Sequence, residues 1–151
     1  MEIKKLMKDD YDLATKEIIL AFQVPPWNEN WTYEQAYTRI EEIMDSRVAR
    51  GYVMYQDGIV VSTLIGRIMT YLDYKELWMD DFSVHPDYQG QGIGKRMLNH
   101  VKEEMKKENI RYLILNTTRG YDCVEFYKRN GFEEIESMMT MCCPIEVNIE
   151  D

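Results

Sequence analysis

Apolar residues recur along this chain at two spacings, every second residue and every third or fourth, and the changes between them lay out the elements. Glu2 to Met7 reads as a short strand, and Asp10 can cap a helix running to about Phe22, where Pro25-Pro26 forbids continuation. Thr32 with Gln35 forms a capping-box pattern, and Tyr33, Ala36, Tyr37, Ile40, Ile43 and Met44 then follow at helical spacing. Tyr52 to Gln56 and Ile59 to Ile65 flank Asp57-Gly58, the dipeptide that supplies the positive backbone angles of a tight hairpin. Glu76 to Val84 reads as the next strand. A glycine-bearing loop follows, then a helix with the apolar stripe Ile93, Met97, Leu98, Val101 and Met105. Tyr112 to Leu115 reads as a short buried strand. Asp122 and Glu125 offer a second capping box for a helix that stops at Asn130-Gly131, and Phe132 to Glu136 and Met138 to Ile145 read as two final strands.

The order βααβββαβαββ predicts an α+β or mixed α/β fold, with antiparallel meanders and at least one parallel crossover, between the Glu76 and Tyr112 strands. Ligands in such sheets sit outside the carboxyl ends of parallel strands, here just after Val84 and Leu115.

Composition narrows the class. With 151 residues, 45% of them hydrophobic, and no repeat or Pro/Gly/Ser linker, residues 1–151 are expected to form a single domain whose core needs no disulfide or metal. A formal net charge of −9 repels phosphates and anionic headgroups, so neither nucleic acid nor a membrane is an expected partner. The N-terminal stretch carries charges every few residues, unlike a signal peptide, and no stretch approaches membrane-spanning length. Cys142 and Cys143 are adjacent and leave Cys123 as the one separated thiol, a pattern that is no disulfide framework and fits a reducing cytoplasm. His85 and His100 have no partners at metal-ligand spacing, so no metal is expected, and Cys123 lacks a visible histidine that would activate it as a nucleophile.

The loop from Gln89 to Lys95, QGQGIGK, joins a strand to a helix. Its glycines let main-chain amides converge where a helix N-terminus carries about half a positive charge, which suits a phosphate. Lys95 and Arg96 oppose the helix dipole unless an anion lies beside them. An ordinary strand-to-helix turn also fits. A Rossmann fingerprint fails because its third glycine falls on Lys95, and a P-loop fails because Gln89 stands at its first glycine and Arg96 follows the lysine.

What remains, Gln89-x-x-Gly92-x-Gly94, resembles the pyrophosphate loop Q/R-x-x-G-x-G/A of the GNAT superfamily of acyl-CoA-dependent N-acetyltransferases. The likeness covers LWMDDFSVHPDYQGQGIGKRML, Leu77 to Leu98, and CVEFYKRNGF, Cys123 to Phe132. The pattern around Asp80-Asp81-Phe82 and Phe126-Tyr127-Lys128-Arg129 is similar to the spermidine/spermine N-acetyltransferases, while the N-terminal third shows no such match. The resemblance implies a central mixed sheet with helices on both faces, acetyl-CoA as acyl donor, and no metal. It implies that the pantetheine arm runs along Phe82, Ser83 and Val84, and that the Val84 amide faces the thioester carbonyl. Gln89, Gly90, Gln91, Gly92, Ile93, Gly94 and Lys95 would then cradle the pyrophosphate, and Asn116 would bond to the pantetheine. Relatives often carry Asn seven residues before the tyrosine, where this chain has Gly120. A homodimer is compatible with the resemblance, relatives often being dimeric.

The family's general acid falls on Tyr127, although Cys123, Phe126 and Tyr127 also have the spacing of a packing face. Asp80 and Asp81 are adjacent in a strand, where aspartate is disfavoured, and strict alternation sends them to opposite faces. Either both reach solvent, or one binds a cationic amine and takes its proton. An alkylamine with a pKa of about 10 is only about 0.1% neutral at pH 7, a deficit of roughly 4 kcal/mol. Asp81 matches the family best, with Asp80 second and Glu76 third. Trp27, Glu29 and Trp31 lie where relatives build an acceptor wall, and equally fit a cover over the core.

These readings predict an N-acetyltransferase that moves acetyl from acetyl-CoA to a primary amine by direct attack in a ternary complex. Small polyamines or aminoglycoside-like amines lead, and peptide amines also fit. The alternatives are a non-catalytic acyl-CoA-binding sensor and, more distantly, a generic nucleotide-binding domain.

Overall fold

The computed structural model describes residues 1–149, which fall into two units, 1–117 and 118–149. In chain order the first holds β1 (Glu2–Lys5), α1 (Tyr11–Gln23), α2 (Tyr33–Met44), β2 (Ala49–Gln56), β3 (Ile59–Tyr71), β4 (Tyr74–Val84), α3 (Ile93–Lys107) and β5 (Tyr112–Ile114). The second holds α4 (Asp122–Arg129). The first unit is the mixed α/β fold expected, a five-stranded sheet in the order β1-β2-β3-β4-β5. Its first four strands are antiparallel, and β5 joins β4 in parallel after the α3 crossover.

Strand alternation sorts the helices onto two faces. On β2, Val53 joins the buried cluster of Ala14, Ile18, Ile40 and Ile43 from α1 and α2, whereas its neighbour Tyr52 turns the other way and meets His100 of α3 edge-on at 5.7 Å. The predicted stripe Ile93, Met97, Leu98, Val101 and Met105 is buried throughout. Thr32 and Gln35 close the expected capping box on α2, the hydroxyl accepting from the Gln35 amide at 3.1 Å and the Gln35 side chain accepting from the Thr32 amide at 3.0 Å.

Three expectations are corrected. Asp10 stands at the N-cap position of α1, as expected, but its side chain does not close the turn. Its buried carboxylate accepts from the Met7 amide at 2.8 Å and the Tyr55 hydroxyl at 2.6 Å and pairs with Lys4, which leaves nothing for the helix amides. Asp122 is the first residue of α4 and not its cap; that place falls to Tyr121, and no side chain closes the turn. Phe132 to Glu136 and Met138 to Ile145 form no strands, because alternation marks an amphipathic face while a strand also needs a ladder partner, and among the described residues this segment has none. The observed order is therefore βααβββαβα. The helix stop at Gly131, with φ 91°, is as expected.

One glycine shapes β4. In the β3–β4 ladder Ile65 faces Asp81 and Gly66 faces Met79, so Asp80 is an extra residue and the strand bulges there. A Cβ on Gly66 would lie 2.1 Å from the Trp78 carbonyl oxygen, a main-chain atom that cannot swing aside. Gly66→Ala is expected to cost more than about 2 kcal/mol in urea unfolding, against roughly 1 kcal/mol for Gly58→Ala, where only a positive φ is lost and no atom lies nearby. Equal losses at the two sites would remove the steric argument.

Candidate active site

The site grows from the point where β4 outruns its neighbour. Pairing with β5 stops at Trp78–Ile114, whereas β4 continues along β3 to Val84. The His85 amide donates to the Val61 carbonyl at 2.8 Å. Since alternate residues of an antiparallel ladder point their amides to opposite sides, those of Phe82 and Val84 turn away from β3, toward the edge that β5 no longer covers. The strand therefore presents main-chain groups sideways, as a template for an extended, amide-bearing chain.

Directly beyond lies the glycine loop. Gly90 and Gly92 adopt positive φ of 75° and 78°, and Gly92 is the N-cap of α3 with no side-chain cap. The first turn of α3 has no acidic residue, and Lys95 and Arg96 are exposed on it, so the positive helix end is left for an external anion. Gln89 and Gln91 fold back on the strand side: Gln89 Nε2 donates to the Val84 carbonyl at 3.2 Å and Gln91 Nε2 to the Asp87 carbonyl at 3.4 Å. His85 Nδ1 accepts from the Asp87 amide, a turn-closing role. Asn116 is exposed two residues past β5.

On the α1/α2 face, Asp81 is held by two Arg39 nitrogens at 2.7 and 3.0 Å, and Asp80 by two Arg67 nitrogens at 2.9 Å each. Neither carboxylate simply reaches solvent, and alternation does not separate them across the bulge: both act on the Arg39 guanidinium. Burial pushes Asp81 above the usual carboxylate range, the Arg39 pair opposes this, and the charges of Asp80 and Glu29 add to it. Trp31 Nε1 donates to Glu29 at 3.0 Å, and Arg39 lies 5.8 Å over the Trp31 ring. Trp31, Glu34, Gln35, Thr38, Arg39 and Glu42 line an open depression of about 390 Å³. Of the expected wall, Trp27 meets Phe22 edge-on at 5.5 Å, while Glu29 and Trp31 lie beside Arg39 and Asp81. Glu76 lies five residues back along β4, about 16 Å away by strand rise, and accepts from Trp78 Nε1. The structure separates it from the acidic pair.

Sequence reasoning missed two anchors, Arg39 and Glu17. Glu17 is fully buried on α1, and its Oε1 accepts from the Ser83 hydroxyl at 2.8 Å while the Ser62 hydroxyl donates to the Ser83 carbonyl at 2.7 Å. Ser83 is thus committed to the fold on its β3 side. Burial raises the Glu17 carboxyl to about 7, with the Ser83 and Thr63 hydroxyls pulling the other way, and Oε2 has no fully formed hydrogen bond. A signal for both was present. Glu17 stands three residues after Ala14 in the stripe Ala14, Ile18, Ala21, and Arg39 three after Ala36 in the stripe Ala36, Ile40, Ile43, each a charged side chain among apolar ones.

In the second unit, Tyr127 sits on α4 with ring centroids 5.5 Å from Phe126 and 5.3 Å from Phe132. Burial pushes its hydroxyl pKa upward, so it keeps its proton across the neutral range. Gly120 has φ 87°, a left-handed turn position that an asparagine tolerates less readily. Cys142 and Cys143 are exposed free thiols. Among the described residues no group of three or more His, Cys, Asp or Glu side chains is arranged to hold a metal, and no helix is long and apolar enough to cross a membrane.

A parallel crossover, a sideways-facing strand edge and a glycine loop feeding a helix N-terminus lie together at one end of the sheet. The chain belongs to the acetyltransferase (GNAT) family, whose model matches residues 14–132. Over 97 residues it is 27% identical to an amino-acid acetyltransferase of Vibrio vulnificus, a match covering 64% of this chain and 21% of that protein. The chain thus spans about a fifth of the length of that curated relative. Among solved structures, a possible acetyltransferase from Clostridium difficile 630 superposes with a TM-score of 0.81 at 18% identity, covering 96% of this chain and 98% of that one. An aminoglycoside acetyltransferase from an uncultured soil metagenomic sample, in complex with sisomicin, gives 0.72 at 14% identity, covering 99% and 96%. The shared fold is that of the family.

Glu17 sets a pH dependence. Its folded pKa of about 7 lies above the ordinary 4.5, so the folded state binds the extra proton between these values. The contribution of Glu17 to stability is therefore fully present below about 4.5, is lost as pH rises through the window, and levels off above 7, the total on the order of 3 kcal/mol. Glu17→Gln is expected to flatten this slope and to raise the melting point at pH 8. A melting profile whose slope between pH 4.5 and 7 is the same in both proteins would assign the effect elsewhere.

Proposed function

We propose that this protein is an N-acetyltransferase using acetyl-CoA, and that its acceptor is a primary amine carried on a cationic small molecule. The observation that carries this reading is the Phe82–Val84 edge running straight into the Gln89–Lys95 loop, which suits a pantetheine arm ending in a pyrophosphate. Acetyl-CoA supplies the activated acyl group as a thioester. The Val84 amide donates to the carbonyl oxygen as negative charge develops there, and amides from Gly90 to Lys95 take the pyrophosphate, with Asn116 as a further pantetheine contact. The amine nitrogen attacks the carbonyl carbon directly, the carbon–sulfur bond breaks, and the Tyr127 hydroxyl gives its proton to the departing thiolate.

The amine must also lose protons. Asp81 is first choice for attracting the ammonium and accepting one, with Asp80 second, and Glu29 and Trp31 favour a cation beside it. Arg39 tempers this, since an arriving ammonium has to share Asp81 with a guanidinium already bound through two nitrogens. Small polyamines and aminoglycoside-like amines fit the acidic surroundings, as do peptide amines. The paired state of both aspartates favours one rival, an acyl-CoA-binding module that performs no transfer.

Acetyl-CoA at a hundred times its Kd is expected to stabilise the protein by about 2.7 kcal/mol, a rise in Tm of about 5–10 °C, with ATP and NAD giving far less. No selective rise would remove the donor. Tyr127→Phe is expected to lower kcat about a hundredfold or more while KM for acetyl-CoA stays within about twofold, read by thiol release against an amine panel. Selective acetyl-CoA binding with no thiol release from any amine would favour the non-catalytic module.

A further inference from the structure

We propose that Ser62 on β3 is a positioning residue for acetyl transfer, an inference that rests on the Val84 amide being the donor to the developing oxyanion. The Val84 N–H and the Ser83 carbonyl belong to one planar peptide unit and point to opposite sides of β4, the carbonyl toward β3 and the N–H toward the open edge. The Ser62 hydroxyl donates to that carbonyl at 2.7 Å. A hydrogen bond taken by the oxygen draws electrons through the amide and makes the N–H on the other side a stronger donor. Ser62 therefore acts on the oxyanion through the peptide, without touching either substrate.

Two donors from β3 meet this one carbonyl. Val61 and His85 lie just beyond the Ser62–Val84 pair, and the His85 amide donating to the Val61 carbonyl at 2.8 Å fixes the phase of the ladder. Two residues back, Thr63 and Ser83 form the next hydrogen-bonded pair, so the Ser83 carbonyl faces the Thr63 amide, and the Ser62 hydroxyl takes its second lone pair. Each added bond in such a chain strengthens its neighbours by roughly 10–30%. The hold also comes from both faces of the sheet. Alternation puts Ser62 with Leu64 and Tyr52 on the α3 side, whereas Ser83 turns to α1, where its hydroxyl donates to Glu17 at 2.8 Å. Beyond Val84, Gln89 Nε2 donates to the Val84 carbonyl at 3.2 Å. The peptide plane is thus held at its own oxygen and on both sides of it, which aims the N–H as well as strengthening it.

Packing alone gives no reason for a hydroxyl at this position. Residues 60–66 of β3 are buried without interruption, and Ser62 is 0% exposed. An alanine or a valine would fill such a place with no polar atom to satisfy, whereas a buried hydroxyl is tolerated only when it is bonded. The partner of this one is the carbonyl whose peptide carries the Val84 amide.

The test uses the full chain, labelled with nitrogen-15. The probe is an analogue of acetyl-CoA with a methylene in place of the thioester sulfur, compared with CoA, so that the difference reports the carbonyl contact. In the wild type the Val84 amide proton is expected to move downfield with the analogue relative to CoA, and in Ser62→Ala this movement should fall by about half or more. Single-turnover transfer to the best amine of the panel should slow about tenfold with KM for acetyl-CoA within about twofold, because the donor is weakened and not lost; outright loss of an oxyanion donor costs about 100- to 1,000-fold. Ser62→Cys, which fills the site with a weak donor, should behave like Ser62→Ala, and melting curves of both variants check that the fold is intact. A Val84 amide that answers the carbonyl equally in all three proteins, a transfer rate within about twofold of wild type in either variant, or a loss confined to KM would each overturn the role of Ser62 while leaving Val84 as donor. A Val84 amide that does not distinguish the analogue from CoA would remove the donor reading itself, and the role of Ser62 with it.

Discussion

β4 is paired on both sides for three residues and on one side for the rest, and the candidate site follows from that inequality in strand length. An isolated strand edge in water is ordinarily a liability, because its amides and carbonyls accept any extended chain. Here the edge runs into a helix N-terminus through glycines at positive φ, so the chain most suited to it is one that ends in an anion. The Gln89 side chain reaches back to the Val84 carbonyl and fixes the corner between edge and loop.

An edge lacking one neighbour must be held from its other sides. Ser62 and Glu17 hold Ser83, Arg39 holds Asp81, and Gly66 lets the two main chains approach at the bulge. These anchors come from three elements and converge on β4 between its bulge and Ser83. The cost is chemical: two of the anchoring groups are buried or half-buried charges, and a carboxyl as enclosed as Glu17 is comfortable only when protonated. The helix side of β4 is thus held with side chains that include a carboxyl whose charge responds to pH, close to an edge that presents main-chain groups.

Much of this was legible in the chain. Capping at Thr32–Gln35, the Asp57-Gly58 turn and the stripe from Ile93 to Met105 each give a local rule that the structure obeys, because the atoms involved are near in sequence. The glycine loop was legible for the same reason. Arg39–Asp81 and Glu17–Ser83 join residues 42 and 66 positions apart, and no spacing rule reaches across such a gap. What could be read was only the anomaly of a charge within an apolar stripe. The alternation of Asp80 and Asp81 failed at a bulge set by Gly66, fourteen residues before Asp80 in the chain, and the last two strands failed because alternation describes a face and not a partner.

The methionines at 138, 139 and 141 give the segment from Met138 to Ile145 a further property. A thioether in a protein interior is sheltered, whereas these three are 66%, 80% and 84% exposed and followed by two exposed thiols, Cys142 and Cys143. Peroxide converts such methionines to sulfoxides, placing a polar oxygen on an otherwise apolar side chain, and reductases reverse the change. The stretch from Met138 to Cys143 is consequently a part of this molecule whose surface chemistry an oxidant would rewrite, and its apolar character lasts only as long as those sulfurs stay reduced.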